Sequence, residues 1–284
     1  MVEIKAVTAE RVIRANRDFY AEQAEIYESE VHCANDPAAR ELLATVLSRA
    51  LVLCSDRQNP AVLDACGGSG NASEILADLG YRTVLVDVSP QMLSIWRAKA
   101  SARGFSEPEA IESDIDAFLE HDDRLWDLIV FSSAMHHLEN YAEIASKAVS
   151  ALAPGGVLVT AFDPTAVQGR ILKLLRRLDW VVAGAFRHPV SFMQKVLEKA
   201  IGSLGRLRGS PADLSTGALA ERYALIGVDE DRLITAITAA GGEVLVHERY
   251  SHSRLFATEL AFRLLRTPSS FHLIARKSSN DERN

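Results

Sequence analysis

Apolar and polar positions recur with one period at the start of the chain and another in its middle. Between Thr8 and Glu30 the pairs Val12/Ile13, Phe19/Tyr20 and Ile26/Tyr27 return every seven residues. That spacing keeps them on one face and predicts a helix. Asp36–Leu53 reads as a second helix, with Asp36 as its N-cap and Pro37 in the first turn. From Ala61 the period changes. Short apolar runs at Ala61–Cys66, Thr83–Val88, Ala110–Ser113, Leu128–Ser132 and Val157–Phe162 read as strands. Helical segments separate them. Ser89-Pro90 is an N-cap followed by proline at the first helical position, and Met92, Leu93, Trp96 and Ala100 then form one stripe. Tyr141–Leu152 is a further helix, stopped by Ala153-Pro154-Gly155-Gly156. Strands alternating with helices predict an α/β fold built on a parallel sheet with helices on both faces.

The alternation breaks at Ala166. Ile171–Phe186 is apolar and basic, and Ser191–Leu204 is strongly amphipathic. A segment rich in glycine and serine, Gly202–Gly217, follows. Asp229–Ala240 reads as a helix, and Glu243–Tyr250 and Phe271–Lys277 as two last strands. The expected organisation is an N-terminal helical segment (1–57), a ligand-binding core (58–165) and a helical cap over a substrate pocket (166–228). The C-terminal helix and last two strands of the core (229–277) and a mobile tail (278–284) complete it.

The chemistry concentrates in Val62–Gly70, VLDACGGSG. A strand that ends in an acid and breaks into a glycine-rich turn lets backbone N–H groups approach a ligand. A second strand, TVLVD, ends in another acid, Asp87, where a ribose is usually gripped through its hydroxyls. Two enzyme classes build such a site: nicotinamide dehydrogenases and methyltransferases that use S-adenosylmethionine (SAM). The dinucleotide fingerprint needs a third glycine. Counting from Gly68 and Gly70, that position holds Ser73. An acid inside the turn also suits an ammonium group better than a pyrophosphate.

Charge narrows the partners. The chain carries a net charge of −7, but residues 166–210 carry +7 and the remainder −14. An acidic body argues against a nucleic-acid protein. The basic block 170–208 reads as a cap with a solvated basic face. It also suits an acidic carrier protein, an anionic membrane surface or an anionic substrate. Three cysteines without metal-ligand spacing fit reduced thiols in the cytoplasm, and no metal is expected.

In order along the chain, VLDACGGSG, VDVSPQML (86–93), ESDIDAF (112–118), WDLIVFSSAMHHLEN (126–140) and LAPGGVLVTAFDP (152–164) resemble the motifs of class I SAM-dependent methyltransferases, in their small-molecule branch. The resemblance implies a Rossmann-like, seven-stranded, mostly parallel sheet with the last strand antiparallel. It implies SAM as cofactor, S-adenosylhomocysteine (SAH) as product and a small, partly apolar acceptor, with O-methylation favoured over N or C. Residue by residue, it implies that Asp64, Cys66, Gly67, Gly68 and Gly70 hold the methionine part. Asp87 and Val88 would grip the ribose, and Met92, Asp114 and Ile115 the adenine. Ser132 would face the sulfonium side, and Tyr20 and Tyr27 would close over the carboxylate. The family often has glycine where this chain has Cys66. Of the paired His136 and His137, the second is the favoured general base. His188, His247 and His252 read as surface or packing residues. A SAM-fold scaffold without catalysis and a nicotinamide oxidoreductase are the rival readings.

Overall fold

The computed structural model describes residues 13–21, 24, 36–54, 59–105, 108–166, 174, 182, 226–251 and 256–279. Residues 13–21 are helical. The named elements are α1 (Pro37–Leu53), β1 (Val62–Ala65), α2 (Asn71–Asp78), β2 (Thr83–Asp87), α3 (Pro90–Ala102), β3 (Glu109–Glu112) and α4 (Ile115–His121). They continue with β4 (Trp126–Ser132), α5 (Tyr141–Ala151), β5 (Leu152–Pro164), α6 (Glu230–Ala239), β6 (Gly242–Tyr250), α7 (Phe256–Leu264) and β7 (Ser270–Lys277). The seven strands form one sheet in the order β3-β2-β1-β4-β5-β7-β6. Neighbours from β3 to β5 pair in parallel. β7 runs antiparallel to both β5 and β6. This is the Rossmann-like architecture with one reversed strand that the sequence leads one to expect.

Burial follows from the topology. β1 is buried along its whole length, and β4 is buried at every residue but the last, because both faces are covered. On one face Leu63, Ile129, Phe131, Ile144, Leu233 and Phe271 share a core with their neighbours. On the other, Leu43, Val46, Leu47, Leu76, Val130 and Ile274 do so. The caps act as the sequence anticipates: Asp36 accepts from the Ala38 N–H at 2.9 Å, and the Ser89 hydroxyl from that of Met92 at 3.4 Å. α7, between the two last strands, is an element that the sequence reading does not name. The expected stop at 153–156 ends α5, and β5 begins there with a pairing irregularity opposite Trp126 and Leu128.

The chain leaves β1 toward β2 on one side of the sheet and returns through β4 on the other. Such a switch point opens a crevice beyond the carboxyl ends of the strands. The turn from β1 into α2 lies at that point and has almost no spare room. A Cβ on Gly67 would lie 2.6 Å from the Leu85 side chain and 2.8 Å from that of Asp64. One on Gly70, at φ +83, would lie 2.4 Å from the Trp96 ring. A Gly70→Ala substitution is expected to cost about 2–4 kcal/mol, from the left-handed backbone and the overlap together. Urea unfolding measures it, and a loss below about 0.5 kcal/mol contradicts the tight turn.

Candidate functional site

The crevice is a cleft enclosing about 1130 Å³, its open mouth included. Loops after four successive parallel strands build it. β1 contributes Cys66, Gly67 and Gly68; β2 contributes Asp87 and Val88. Residues 113–116 follow β3, and residues 132–134 end β4. The N-terminal helix closes one side with Ile13, Asn16 and Tyr20.

Most residues named from the sequence meet here. Tyr20, Cys66, Gly67, Gly68, Asp87, Val88, Met92, Asp114, Ile115, Ser132 and His137 all line the cleft. Two do not. Gly70 packs against Trp96 and starts α2. Asp64 lies fully buried beneath the turn. Tyr27, His188 and His252 fall outside the described residues, as does nearly all of the basic block 170–208. His247 is a packing residue, paired with Glu230 and edge-on to Phe271.

Each acid has a distinct local role. Asp64 Oδ2 accepts the Ser73 N–H at 3.0 Å and the Ser73 hydroxyl at 2.7 Å, and Thr83 donates to that hydroxyl in turn. Ser73 thus occupies the third-glycine position of the dinucleotide fingerprint in order to hold a buried acid. Asp64 Oδ1 has no hydrogen-bond partner among the described residues. Burial outweighs the Ser73 bonds and pushes the Asp64 carboxyl up to about 6. Asp87 spans the turn: Oδ2 accepts from Gly68 N–H at 2.9 Å and Oδ1 from Ser89 N–H at 2.8 Å. Its carboxyl is also raised by burial, against the backbone N–H groups that lower it. Asp114 caps α4 through the Asp116 and Ala117 N–H groups while lining the cleft.

Cys66 takes φ 54, a conformation that favours glycine, at the position where the resembling family often has one. The turn therefore keeps its shape at a backbone cost of about 1–2 kcal/mol. Burial raises the Cys66 thiol, so it stays protonated and is a poor nucleophile.

On the far wall His137 Nε2 lies 3.0 Å from the Tyr20 hydroxyl, with the rings edge-to-face. Asn16 donates to the His137 carbonyl at 3.3 Å, which fixes its amide orientation. Asn16 Oδ1 is then left buried without a partner among the described residues. Asn16 escaped the sequence reading because a single asparagine on a helix carries no motif. Asp116 and Glu139, which also line the cleft, lie inside two of the quoted motifs but were given no role there.

Asp87, Asp114, Asp116 and Glu139 line the cleft, and no Lys or Arg does so among the described residues. Asp116 is paired with Lys147 at 2.5 Å; the other half-buried carboxylates and an amide oxygen unpartnered among the described residues suit a cationic ligand rich in hydroxyl and N–H donors. They repel phosphate. No group of three or more His, Cys, Asp or Glu could hold a metal ion among the described residues. Nor is any described helix long and apolar enough to cross a membrane.

Residues 62–156 match the family model described as a methyltransferase domain. The tRNA 5-carboxymethoxyuridine methyltransferase of Escherichia coli K12 is 31% identical over 106 residues, covering 37% of this chain and 41% of that protein. The demethylmenaquinone methyltransferase of Thermus thermophilus is 31% identical over 123 residues, covering 43% and 55%. The chain thus spans about half, or less, of these curated relatives. Among solved structures, the magnesium protoporphyrin IX methyltransferase of Synechocystis PCC 6803 with bound SAM has a TM-score of 0.56 at 14% identity, covering 96% of this chain and 99% of that one. The N-methyltransferase NodS of Bradyrhizobium japonicum WM9 with SAH has a TM-score of 0.56 at 17% identity, covering 92% and 98%. The fold is that of the class I SAM-dependent methyltransferases.

The raised Asp64 carboxyl has a consequence for stability. Below about pH 4 Asp64 is protonated in folded and unfolded chains alike. Between about pH 4 and 6 the folded protein keeps a proton that the unfolded chain releases. Stability from this group is therefore full at low pH and is lost as pH rises through about 6. The loss is of order 3 kcal/mol. Asp64→Asn is expected to flatten the difference, so that the variant gains on the wild type as pH rises from about 4 to 7. Paired urea titrations across that range measure it, and a constant wild-type-minus-variant difference refutes it.

Proposed function

We propose that this chain is a class I S-adenosylmethionine-dependent methyltransferase acting on a small, partly apolar acceptor, with oxygen as the favoured acceptor atom. The observation that carries the reading is a cleft at the switch point lined by carboxylates, with no Lys or Arg among its described residues. SAM is cationic and has no phosphate, so that lining suits it. A nicotinamide dinucleotide would bring a pyrophosphate among acids. Asp87 and Asp114 line the cleft with lone pairs beyond those their backbone partners use, which argues against a scaffold that has lost its cofactor.

The residues fit the cofactor in a consistent division of labour. Gly67 and Gly68 present the backbone to its amino-acid end, where a Cβ at Gly67 would fill the turn. Asn16 Oδ1, buried and unpartnered, faces an N–H donor there, and Asp64 supplies negative charge from beneath. Asp87 takes the ribose hydroxyls with the lone pairs its backbone partners leave, and Val88 lies beside it. Met92 and Ile115 pack on the adenine, and Asp114 accepts from its amine. Ser132 lines the sulfonium side. Tyr20 closes over the amino-acid end, and Tyr27 is assigned with it.

When bound, SAM supplies a methyl group whose bond pair stays on sulfur, leaving SAH. The protein contributes orientation, exclusion of water and a proton acceptor. His137 takes the acceptor's proton at Nε2, with the Tyr20 hydroxyl as that nitrogen's resting partner. Ile13, Leu138 and Ile144 give the same cleft its apolar surface, which fits an acceptor with an apolar body and one ionisable oxygen. The two curated relatives act on a modified tRNA uridine and on demethylmenaquinone. The acidic body of this chain favours the second kind of acceptor, a small molecule. No nucleic acid is assigned; the block 170–208 is assigned as a cap over the substrate pocket with a solvated basic face, and weak contact with an acidic carrier protein or an anionic membrane is its second reading.

Isothermal titration with SAH tests the reading. The wild type is expected to bind at about micromolar affinity. Asp87→Ala removes hydrogen bonds from a charged acceptor, worth about 1.5–3 kcal/mol each, and is expected to bind at least about a hundredfold more weakly. A thermal melt checks that Asp87→Ala still folds. Failure of the wild type to bind SAH, or binding of reduced nicotinamide cofactor in its place, overturns the proposal.

A further inference from the structure

The loop between β4 and α5 carries an acid that the cofactor leaves unused. Glu139 lines the cleft and is half-buried. It stands one residue before Asn140, the N-cap of α5, yet its carboxylate makes no hydrogen bond or ion pair among the described residues. The other acids of the cleft are engaged. Asp87 and Asp114 each hold backbone N–H groups. Asp116 is paired with Lys147 at 2.5 Å and accepts from the Asn140 amide at 3.3 Å. Lys147, which projects from α5, is also paired with Glu120. No Lys or Arg lines the cleft among the described residues, so the charge of Glu139 is left for a ligand to answer.

A second polar group on the same wall points the same way. Asn16 reaches it from the N-terminal helix and is only 8% exposed. Its Nδ2 donates to the carbonyl of His137, two residues before Glu139, so Oδ1 is the end left for the cleft. That oxygen is buried without a partner among the described residues. Buried acceptors are normally satisfied, so the occupants of this cleft supply donors.

We propose that Glu139 recognises the methyl acceptor, and that the acceptor carries a protonated amine on its apolar body. This rests on the methyl-transfer reading and names the substrate class for it. SAM has a sulfonium, an ammonium and a carboxylate, and so brings a single net positive charge. The groups that Asp87 and Asp114 take from it, ribose hydroxyls and the adenine amine, are neutral. When ionised, Asp87, Asp114 and Glu139 therefore outweigh the charge of the cofactor, and the acceptor enters a negative field. That field attracts a cation and repels an anion, more strongly as the filling cleft excludes water. Leu138 and Ile144, on either side of Glu139 in the sequence, supply apolar surface for the rest of the acceptor. Glu139 binds and orients; it takes no part in the transfer of the methyl group or of the proton.

Three probes with one apolar body and different charge test this on the SAH-saturated protein: 2-phenylethylamine, 2-phenylethanol and phenylacetate. Ligand-observed NMR titrations measure each affinity. The wild type is expected to bind the amine at least about fivefold more tightly than the alcohol, with phenylacetate weakest. In Glu139→Gln the amine and the alcohol are expected to bind within about twofold of each other. A wild type that binds the alcohol or the acid as tightly as the amine, or that binds none of the three, overturns the proposal whether or not Glu139→Gln folds. So does a Glu139→Gln that binds SAH and keeps the amine preference. A carboxylate acting only on the N-terminus of α5 changes stability and leaves the order of the probes as it was. SAH titration of the same samples separates the two readings. A wild type that binds no SAH defeats methyl transfer and this proposal with it, whereas SAH binding without an amine preference discards only the acceptor class.

Discussion

The absence of room for a side chain where β1 turns into α2 governs much of what lies around it. Gly67 passes against Leu85 and Asp64, and Gly70 against Trp96. Because the backbone runs so close to its own core, its N–H groups are held by neighbouring acceptors of the protein itself. The Gly68 N–H meets Asp87, and the Gly67 N–H meets the Val86 carbonyl at 3.1 Å. The turn is therefore tied to β2 as well as to β1. The same closeness buries Asp64 without a cationic partner among the described residues, and its raised carboxyl follows from that burial.

Backbone strain is distributed in the same way. Cys66, Ser133 and Phe162 hold positive φ without being glycine, and they stand at or just beyond the carboxyl ends of β1, β4 and β5. Unusual backbone at ligand sites persists where the surrounding structure over-determines it. Here a fully buried sheet does so. The Ser133 N–H is held by the Ala161 carbonyl at 2.6 Å, which ties the strained end of β4 to the strand that bulges at Phe162. Strained positions thus occur in the β1 turn and on both strands that carry the histidine wall.

Electrostatics then separates two kinds of acid that a sequence shows identically. Asp87 and Asp114 open onto the cleft while holding backbone N–H groups, so they are fixed in place and still have lone pairs to offer. Asp64 and Asp163 lie fully buried, each with one oxygen unpartnered among the described residues. The first kind is open to the cleft. The second sets charge beneath it.

Most of the cleft lining was named through the resemblance to a family; the local pattern alone determined the order of elements, the parallel sheet and the two acids at consecutive strand ends. Those features follow from side-chain period, capping residues and glycine spacing, which act over a few residues. It also singled out His137 from its position after β4. It did not reveal α7, which falls between two strands read as consecutive, or Asn16, which belongs to no motif. Nor did it indicate that Gly70 turns away from the cleft or that Asp64 lies beneath it, since both depend on Trp96 and Ser73 arriving from α3 and α2. The pairing of His136 with Asp163 lies furthest from the sequence. It joins positions 27 residues apart across two neighbouring strands and depends on a bulge at Phe162 that no local rule requires. Only the packed sheet decides it, because register and burial are set by the sum of the strand contacts and not by the residues that use them.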